Sequence, residues 1–176
     1  MRNIVSLLIF SFCISAGAAP YPLTGSAGTL NPQKGYFFTP KGFQLNSANT
    51  QWLPQAHQMS EGVIKLSPGP KSQASLTVRT DRLQKGISLE LYSRRWMRDY
   101  PNYGFEVLSA KNIQINKSPA LIVDMLSREK NRQIRQIILN NNEQVAILTC
   151  QDQRTHFAES VSACNKIAET FHWVQE

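Results

Sequence analysis

Residues 144–174, QVAILTCQDQRTHFAESVSACNKIAETFHWV, decide the fold of this chain. Residues 145–150 are apolar and rich in β-branched side chains, which predicts a buried strand. Helical spacing then puts five residues on one face: Phe157, Val161, Cys164, Ala168 and Phe171. We therefore expect a helix over about residues 154–171 that folds back on the strand and brings Cys164 near Cys150.

Residues 1–18 have the features of a secretory signal peptide. Arg2 gives a positive start, residues 4–14 are nearly all apolar, and Ala16-Gly17-Ala18 fits a cleavage site for small residues. This apolar run is too short for a membrane anchor, because a spanning helix needs roughly 20 residues. Cys13 leaves a lipoprotein open, although Phe12 before it is bulkier than the usual small residue. We expect an exported protein, either periplasmic or secreted.

The remaining chain is basic and of a size that suits one domain. Cleavage after Ala18 removes one of the 19 basic residues and none of the 12 acidic ones, which leaves a net charge of +6. That charge favours anionic partners, and it also serves solubility. No second apolar stretch could cross a membrane. Pro and Gly mark residues 19–34 as a flexible leader, so the single domain is predicted over residues 35–176.

Cys150 and Cys164 are the two cysteines that cleavage leaves. An even pair in an exported chain favours a disulfide, because the compartment is oxidising. Closing a loop of about 15 residues would stabilise the fold by roughly 3 kcal/mol. The alternatives are two buried free thiols, or a reactive Cys150 with His156 as its base.

Period-two and helical patterns organise the rest of the chain. Ser88 is a candidate N-cap, and four apolar residues follow at helical spacing before Pro101: Leu89, Tyr92, Trp96 and Tyr100. In the strand predicted over 74–80, Leu76 and Val78 face one way, and Thr77 and Arg79 the other. Further strands are predicted at 35–38, 43–45, 62–66, 105–110 with 113–115, 120–126, 134–139 and 145–150. Trp52 and Leu53 are expected to pack over the sheet. The sum is an α+β fold, an antiparallel sheet with flanking helices.

Two groups of basic residues could together form an anion-binding surface. Arg94, Arg95 and Arg98 lie on the first predicted helix, and the second group surrounds one hairpin: Arg128, Lys130, Arg132 and Arg135. A solvated basic face is the alternative. Trp96 and the tyrosines of this helix are assigned to its core-facing side, so no aromatic residues interleave with the arginines on the outer side. This argues against nucleic acid, and single strands in particular, as a partner. Spacing of four along the helix predicts that Glu90 pairs with Arg94, and Arg95 with Asp99.

Asp124 interrupts an apolar strand, and two interpretations follow. In a half-exposed strand the carboxylate would face water. In a buried strand it would need a partner, and Arg135 on the neighbouring strand is the natural one. We favour this structural pair over a catalytic role.

Several segments together resemble the fold family of the photosystem II extrinsic protein PsbP and the periplasmic DcrB-type proteins. The matching stretches include Thr39-Pro40-Lys41-Gly42-Phe43, Ser88-Leu89-Glu90-Leu91-Tyr92, Tyr103-Gly104-Phe105-Glu106, Asn116-Lys117-Ser118-Pro119 and Ile167-Ala168-Glu169-Thr170-Phe171. The resemblance implies a PsbP-like α-β-α sandwich and an accessory or binding role outside the cytoplasm. It implies no ligand, and fold likeness is weak evidence for function.

Sequence motifs for catalysis or metal binding are missing. There is no Gly-x-Ser-x-Gly nucleophile elbow, no His-x-x-x-His and no Cys-x-x-Cys. His57, His156 and His172 fall in separate contexts, the last two on the final predicted helix. We therefore predict no catalytic residues, no metal and no cofactor.

Three functions remain open at this point. The first is an exported, non-enzymatic accessory protein that docks to another protein or an envelope component. The second is a binder of an anionic ligand or surface through the arginine groups. The third and weakest is an enzyme of a kind without a recognised signature.

Overall fold

The computed structural model describes residues 36–39, 42–46, 50–55 and 63–174. The predicted signal peptide, leader, Cys13 and His57 lie outside these ranges. The helices are α1 (Leu89–Asp99) and α2 (Phe157–Glu169), with a 3-10 turn at Tyr100–Tyr103. The strands are β1 (Tyr36–Thr39), β2 (Phe43–Asn46), β3 (Leu53–Pro54), β4 (Val63–Ser67), β5 (Ser75–Arg82), β6 (Glu106–Ile115), β7 (Ser118–Ser127), β8 (Arg132–Asn141), β9 (Gln144–Gln153) and β10 (His172–Trp173).

Seven of these strands form one sheet in the order β3-β4-β5-β9-β8-β7-β6, and β1, β2 and β10 form a smaller sheet. Every neighbouring pair of strands is antiparallel, which confirms the predicted α+β class. The strand predicted at 105–110 with 113–115 is the continuous strand β6, and the polar residues between its two parts, Lys111 and Asn112, are exposed on this edge strand. A bulge interrupts its pairing with β7 between Val107 and Ser109.

The large sheet has two unlike faces, and a helix packs on each. Side chains of alternate strand residues, among them Leu76, Leu139 and Leu148, form one core with α2 and the small sheet. The residues between them, among them Val123 and Ile147, form a second core with α1. The result is an α-β-α sandwich. We call the two faces the α2 side and the α1 side.

Helix α1 begins as predicted, because the Ser88 Oγ accepts a hydrogen bond from the Leu91 N–H at 3.2 Å. It does not simply stop at Pro101. The chain continues as the 3-10 turn, where Pro101 is tolerated because its missing N–H would need no partner in a first turn. Tyr100 is buried, and Tyr92 and Trp96 are half-buried and pack against the core of the α1 side.

Helix α2 ends before the predicted residue 171, and His172 is not helical but lies in β10. The Thr170 Oγ accepts from the Asn46 N–H at 2.8 Å, which joins the helix end to β2. Beyond it, Phe171 and Trp173 pack against Phe43 of β2, with ring centroids 5.2 and 6.4 Å from that of Phe43. The apolar spacing that suggested a longer helix therefore belongs to an aromatic cluster with the small sheet.

Asn116 fastens the β6–β7 hairpin to the end of α2. Asn116 and Lys117 form a two-residue turn in which both φ angles are positive, 48° and 67°. The Asn116 side-chain amide donates to the backbone carbonyls of Glu169 at 2.9 Å and Phe171 at 2.7 Å. The sequence showed this residue only between two predicted strands, so its long-range role was not predicted.

Replacing Asn116 by alanine should lower the free energy of unfolding by about 1–2 kcal/mol beyond the cost of the positive φ angle, because two hydrogen bonds are lost. Asn142→Ala is the matched control. That residue has a φ of 54° in another hairpin and no side-chain hydrogen bond within the described residues. Urea unfolding of both variants measures the difference, and equal losses would contradict the expectation.

Candidate binding surface on the α1 side

Cys150 and Cys164 form the predicted disulfide between β9 and α2. Their sulfur atoms lie 2.09 Å apart and their Cα atoms 6.1 Å apart. Both residues are buried, at 1% and 0% exposure. Neither thiol is free in this structure, so the bond leaves no thiolate for His156 to activate.

Asp124 and Arg135 form the predicted structural pair, on the α2 side. The Arg135 Nε and Nη2 donate to the two carboxylate oxygens at 2.8 and 2.9 Å. Ser109 Oγ donates to the same carboxylate, and Arg135 also donates to Asn165 on α2. The guanidinium is thus engaged within the protein, away from α1.

Some of the other candidate basic residues form ion pairs with carboxylates, and some do not. Arg94 pairs with Glu90 at 2.7 Å, as predicted, and Arg128 pairs with Glu106 at 2.7 Å. The predicted Arg95–Asp99 pair is wrong, since Asp99 is 3.4 Å from Arg98. Within the described part of the chain, three candidates form no ion pair: Arg95, Lys130 and Arg132.

These seven basic residues do not share one surface. Arg94, Arg95 and Arg98 lie on α1, and Arg132 on β8 belongs to the α1 side because Ile134 and Ile138, two and six residues on, pack with α1. Arg135 lies on the α2 side, while Arg128 and Lys130 lie in the β7–β8 turn. Four of the seven basic residues therefore lie on the α1 side.

The α1 side of the sheet is polar where α1 does not cover it. Helix α1 packs mainly over β7 and β8. Beside it, cross-strand pairing aligns Lys65, Thr77, Thr149 and Gln136 in one row and Ser75 with Gln151 in the next. We call these six residues the polar floor. All are half-buried except Ser75, which is buried and accepts a hydrogen bond from Gln151 at 3.0 Å.

Aromatic residues of α1 and of the 3-10 turn that follows it contact the sheet on this side. The Arg79 guanidinium lies over the Trp96 ring, 5.6 Å from its centroid. The Tyr92 hydroxyl donates to Asp81 at 2.7 Å, and the Tyr100 hydroxyl donates to Gln136. Both contacts join the helix flank to the sheet. Burial, and for Tyr92 also the hydrogen bond to Asp81, raises the pKa of both phenols above the usual value.

The raised pKa values make stability fall at alkaline pH. A phenol that holds its proton more tightly when folded gives its full contribution below the unfolded pKa of about 10, and that contribution is lost as pH rises above it. We expect Tyr92→Phe to make urea stability fall less steeply with pH above 10. A slope that Tyr92→Phe leaves unchanged would contradict this.

Charge is unevenly divided between the two sides. Six basic residues of the helices and strands belong to the α1 side: Lys65, Arg79, Arg94, Arg95, Arg98 and Arg132. Only Asp81, Glu90 and Asp99 oppose them. The α2 side has Arg82, Lys111, Arg135 and Lys166 against Glu106, Asp124, Asp152, Glu159 and Glu169. Counted over the helices and strands that the structure describes, the net charge is +3 on the α1 side and −1 on the α2 side.

Sequence reasoning missed Lys65 and Arg79 as members of this surface. The signal was present, since the alternation in β5 already placed Arg79 and Thr77 opposite Leu76 and Val78. What it could not give is the position of α1, which packs mainly over β7 and β8.

Within the described ranges, neither helix is long and apolar enough to span a lipid bilayer. In the same ranges, no three His, Cys, Asp or Glu side chains converge as a metal site would require.

Comparison with known proteins gives structural matches only. No protein-family model matches the sequence, and no curated protein matches it. The solution structure of cyanobacterial PsbP (CyanoP) from Synechocystis sp. PCC 6803 is similar, with a TM-score of 0.61 and 14% identity over 86% of this chain and 99% of that one. A protein of unknown function from Pseudomonas aeruginosa, described as a putative regulator, has a TM-score of 0.54 and 16% identity over 78% and 95%.

A protein from Bacteroides thetaiotaomicron VPI-5482 has a TM-score of 0.57 and 11% identity, over 82% of this chain and half of that one. At such identities the likeness concerns the fold and not the function. The antiparallel sheet between two helices agrees with the first of these structures over nearly its whole length. The chain therefore has a PsbP-like fold, as the sequence resemblance implied.

Proposed function

We propose that this chain is an exported, non-enzymatic accessory protein that docks to a component of the cell envelope through its α1 side. The contrast between the two sides of the sheet is the observation that carries the proposal. The α2 side is closed by a disulfide-linked helix and the small sheet. Among the described residues, the α1 side has a polar floor that neither helix covers and a net positive charge, as expected of a docking surface.

Export is supported by two features. Residues 1–18 have the pattern of a cleaved signal peptide. A buried disulfide is typical of proteins that fold in an oxidising compartment such as the periplasm. Fractionation with intact mass analysis tests this: the exported protein should lack residues 1–18 and carry one disulfide. Uncleaved protein in the cytosol would contradict it.

A second candidate is a binder of an anionic ligand or surface. It is favoured because Lys65, Arg79, Arg95 and Arg132, all on the α1 side, form no ion pair within the described residues. An enzyme that uses Cys150 has less support, since that sulfur is bonded to Cys164.

Retention of the protein on its native envelope fraction tests docking and separates the two candidates. Docking to a protein partner should survive moderate salt, whereas binding to an anionic ligand should weaken steeply as salt screens the charges. In either case retention should depend on residues of the α1 side. No retention at low salt, or retention unaffected by changes on the α1 side, would contradict the proposal.

A further inference from the structure

We propose that the α1 side binds an acidic polysaccharide chain, which lies on the polar floor along the flank of α1. This inference rests on the second candidate under the proposed function, a binder of an anionic ligand, and identifies the chemical class of that ligand.

The spread of the cations indicates an extended ligand. Lys65 and Arg132 lie three strands apart in the sheet, which is about 14 Å at the usual spacing. In the register of the sheet, Arg79 pairs with Ile147 of β9, and Arg132 pairs with Gln153 of the same strand. Arg79 and Arg132 are therefore also about 20 Å apart along the strand direction. A small anion cannot reach all three residues at once. A polymer with a charge on each of several units can.

The residues between the cations suit hydroxyl groups. Thr77, Thr149 and Gln151 are half-buried and carry no charge, and their side chains can both donate and accept hydrogen bonds. Sugar rings present several hydroxyls each, so a saccharide chain can bond to this part of the floor while its acid groups meet the cations.

A peptide fits the floor less well. Extended peptides bind by adding a strand to a free sheet edge, or by placing apolar side chains in a groove. Strands β5, β9 and β8 lie inside the sheet, so their backbone groups are paired with neighbours on both sides. The six floor residues are all polar or charged. Neither mode of peptide recognition is therefore available on the floor.

A flat anionic bilayer also fits less well. Helix α1 lies on the same side as the floor, and a helix with its side chains is about 10 Å thick. A planar membrane surface would rest on the outer residues of α1, such as Arg94 and Arg98, and would not reach the half-buried floor. A single polymer chain can lie beside the helix.

Calorimetric titration of the full chain, expressed for export, with oligogalacturonate at low salt is the test. We expect the triple variant Lys65→Gln, Arg79→Gln, Arg132→Gln to bind about tenfold or more weakly, because three ion pairs are lost. The matched control is Arg82→Gln, Lys111→Gln, Lys166→Gln. It loses the same charge from exposed positions on the α2 side and should stay within about twofold of the unchanged protein.

A second variant separates weaker binding from a folding defect. Lys65→Gln with Arg132→Gln leaves the Arg79–Trp96 contact in place and should still weaken binding more than the control does. Equal weakening by the α1-side and α2-side variants would overturn the inference. So would tighter binding of polyglutamate or of anionic phospholipid vesicles, or no binding of oligogalacturonate at millimolar concentration. None of these results would affect retention on the envelope fraction, which tests the proposed function separately.

Discussion

Replacing Cys150 and Cys164 together by alanine should lower the free energy of unfolding by about 3 kcal/mol. The disulfide closes a loop with a sequence separation of 14 and ties α2 to the central strand β9. Without it, the unfolded chain gains conformational freedom, while the folded state loses the covalent link between the sheet and the helix that covers the α2 side.

Urea unfolding with and without reductant measures this effect. Reductant should destabilise the unchanged protein and leave the double variant as it was, which separates the disulfide from any general action of the reductant. A double variant as stable as the oxidised protein would contradict the expected contribution, and so would an unchanged protein that is insensitive to reductant.

Replacing Asp124 by asparagine should cost about 1.5–3 kcal/mol, the usual range for a hydrogen bond to a charged group. The side chains of Asp124 and Arg135 are only 16% and 23% exposed, so Arg135 would be left with poor access to compensating water. The loss should come from the pair and not from either residue alone.

A double-mutant cycle with Arg135→Gln isolates the coupling between the two groups. The control pair is Glu90 and Arg94, whose side chains are 62% and 69% exposed. Their coupling should be about 0.5 kcal/mol or less, because water and salt screen an exposed pair on a helix. A coupling at Asp124–Arg135 no larger than this would contradict the structural role.

The elements of this fold that rest on local patterns could be predicted. Ser88 and the apolar spacing after it defined α1, and the strands predicted at 120–126, 134–139 and 145–150 lie within β7, β8 and β9. The Asp124–Arg135 pair was also predictable, because a polar break in one apolar strand needs a partner on its neighbour.

Features that depend on long-range packing could not be predicted. The spacing that continues to Phe171 suggested a longer helix, yet that ring packs with Phe43 across the small sheet. Of the two ion pairs predicted on α1, Glu90–Arg94 is confirmed and Arg95–Asp99 is wrong. Arg95 and Arg98 can both approach Asp99, and the energies that choose between such surface pairs are small.

The candidate site was predicted in part for the same reason. The sequence predicts Arg94, Arg95, Arg98 and Arg132 as members of the surface, but it groups them with Arg135, which lies on the other side of the sheet. Assigning a side requires the register of β8, since a shift of one residue moves every side chain to the opposite face.

Amine labelling of the full chain, expressed for export and bound to its native envelope fraction, tests most directly whether the α1 side is the docking surface. The chain offers its own probes, since Lys65 lies on the α1 side and Lys111 and Lys166 on the α2 side. We expect Lys65 to be labelled more slowly in the bound protein than in the free protein, while Lys111 and Lys166 keep their rates. Protection of Lys111 and Lys166 with Lys65 unchanged would contradict docking through the α1 side.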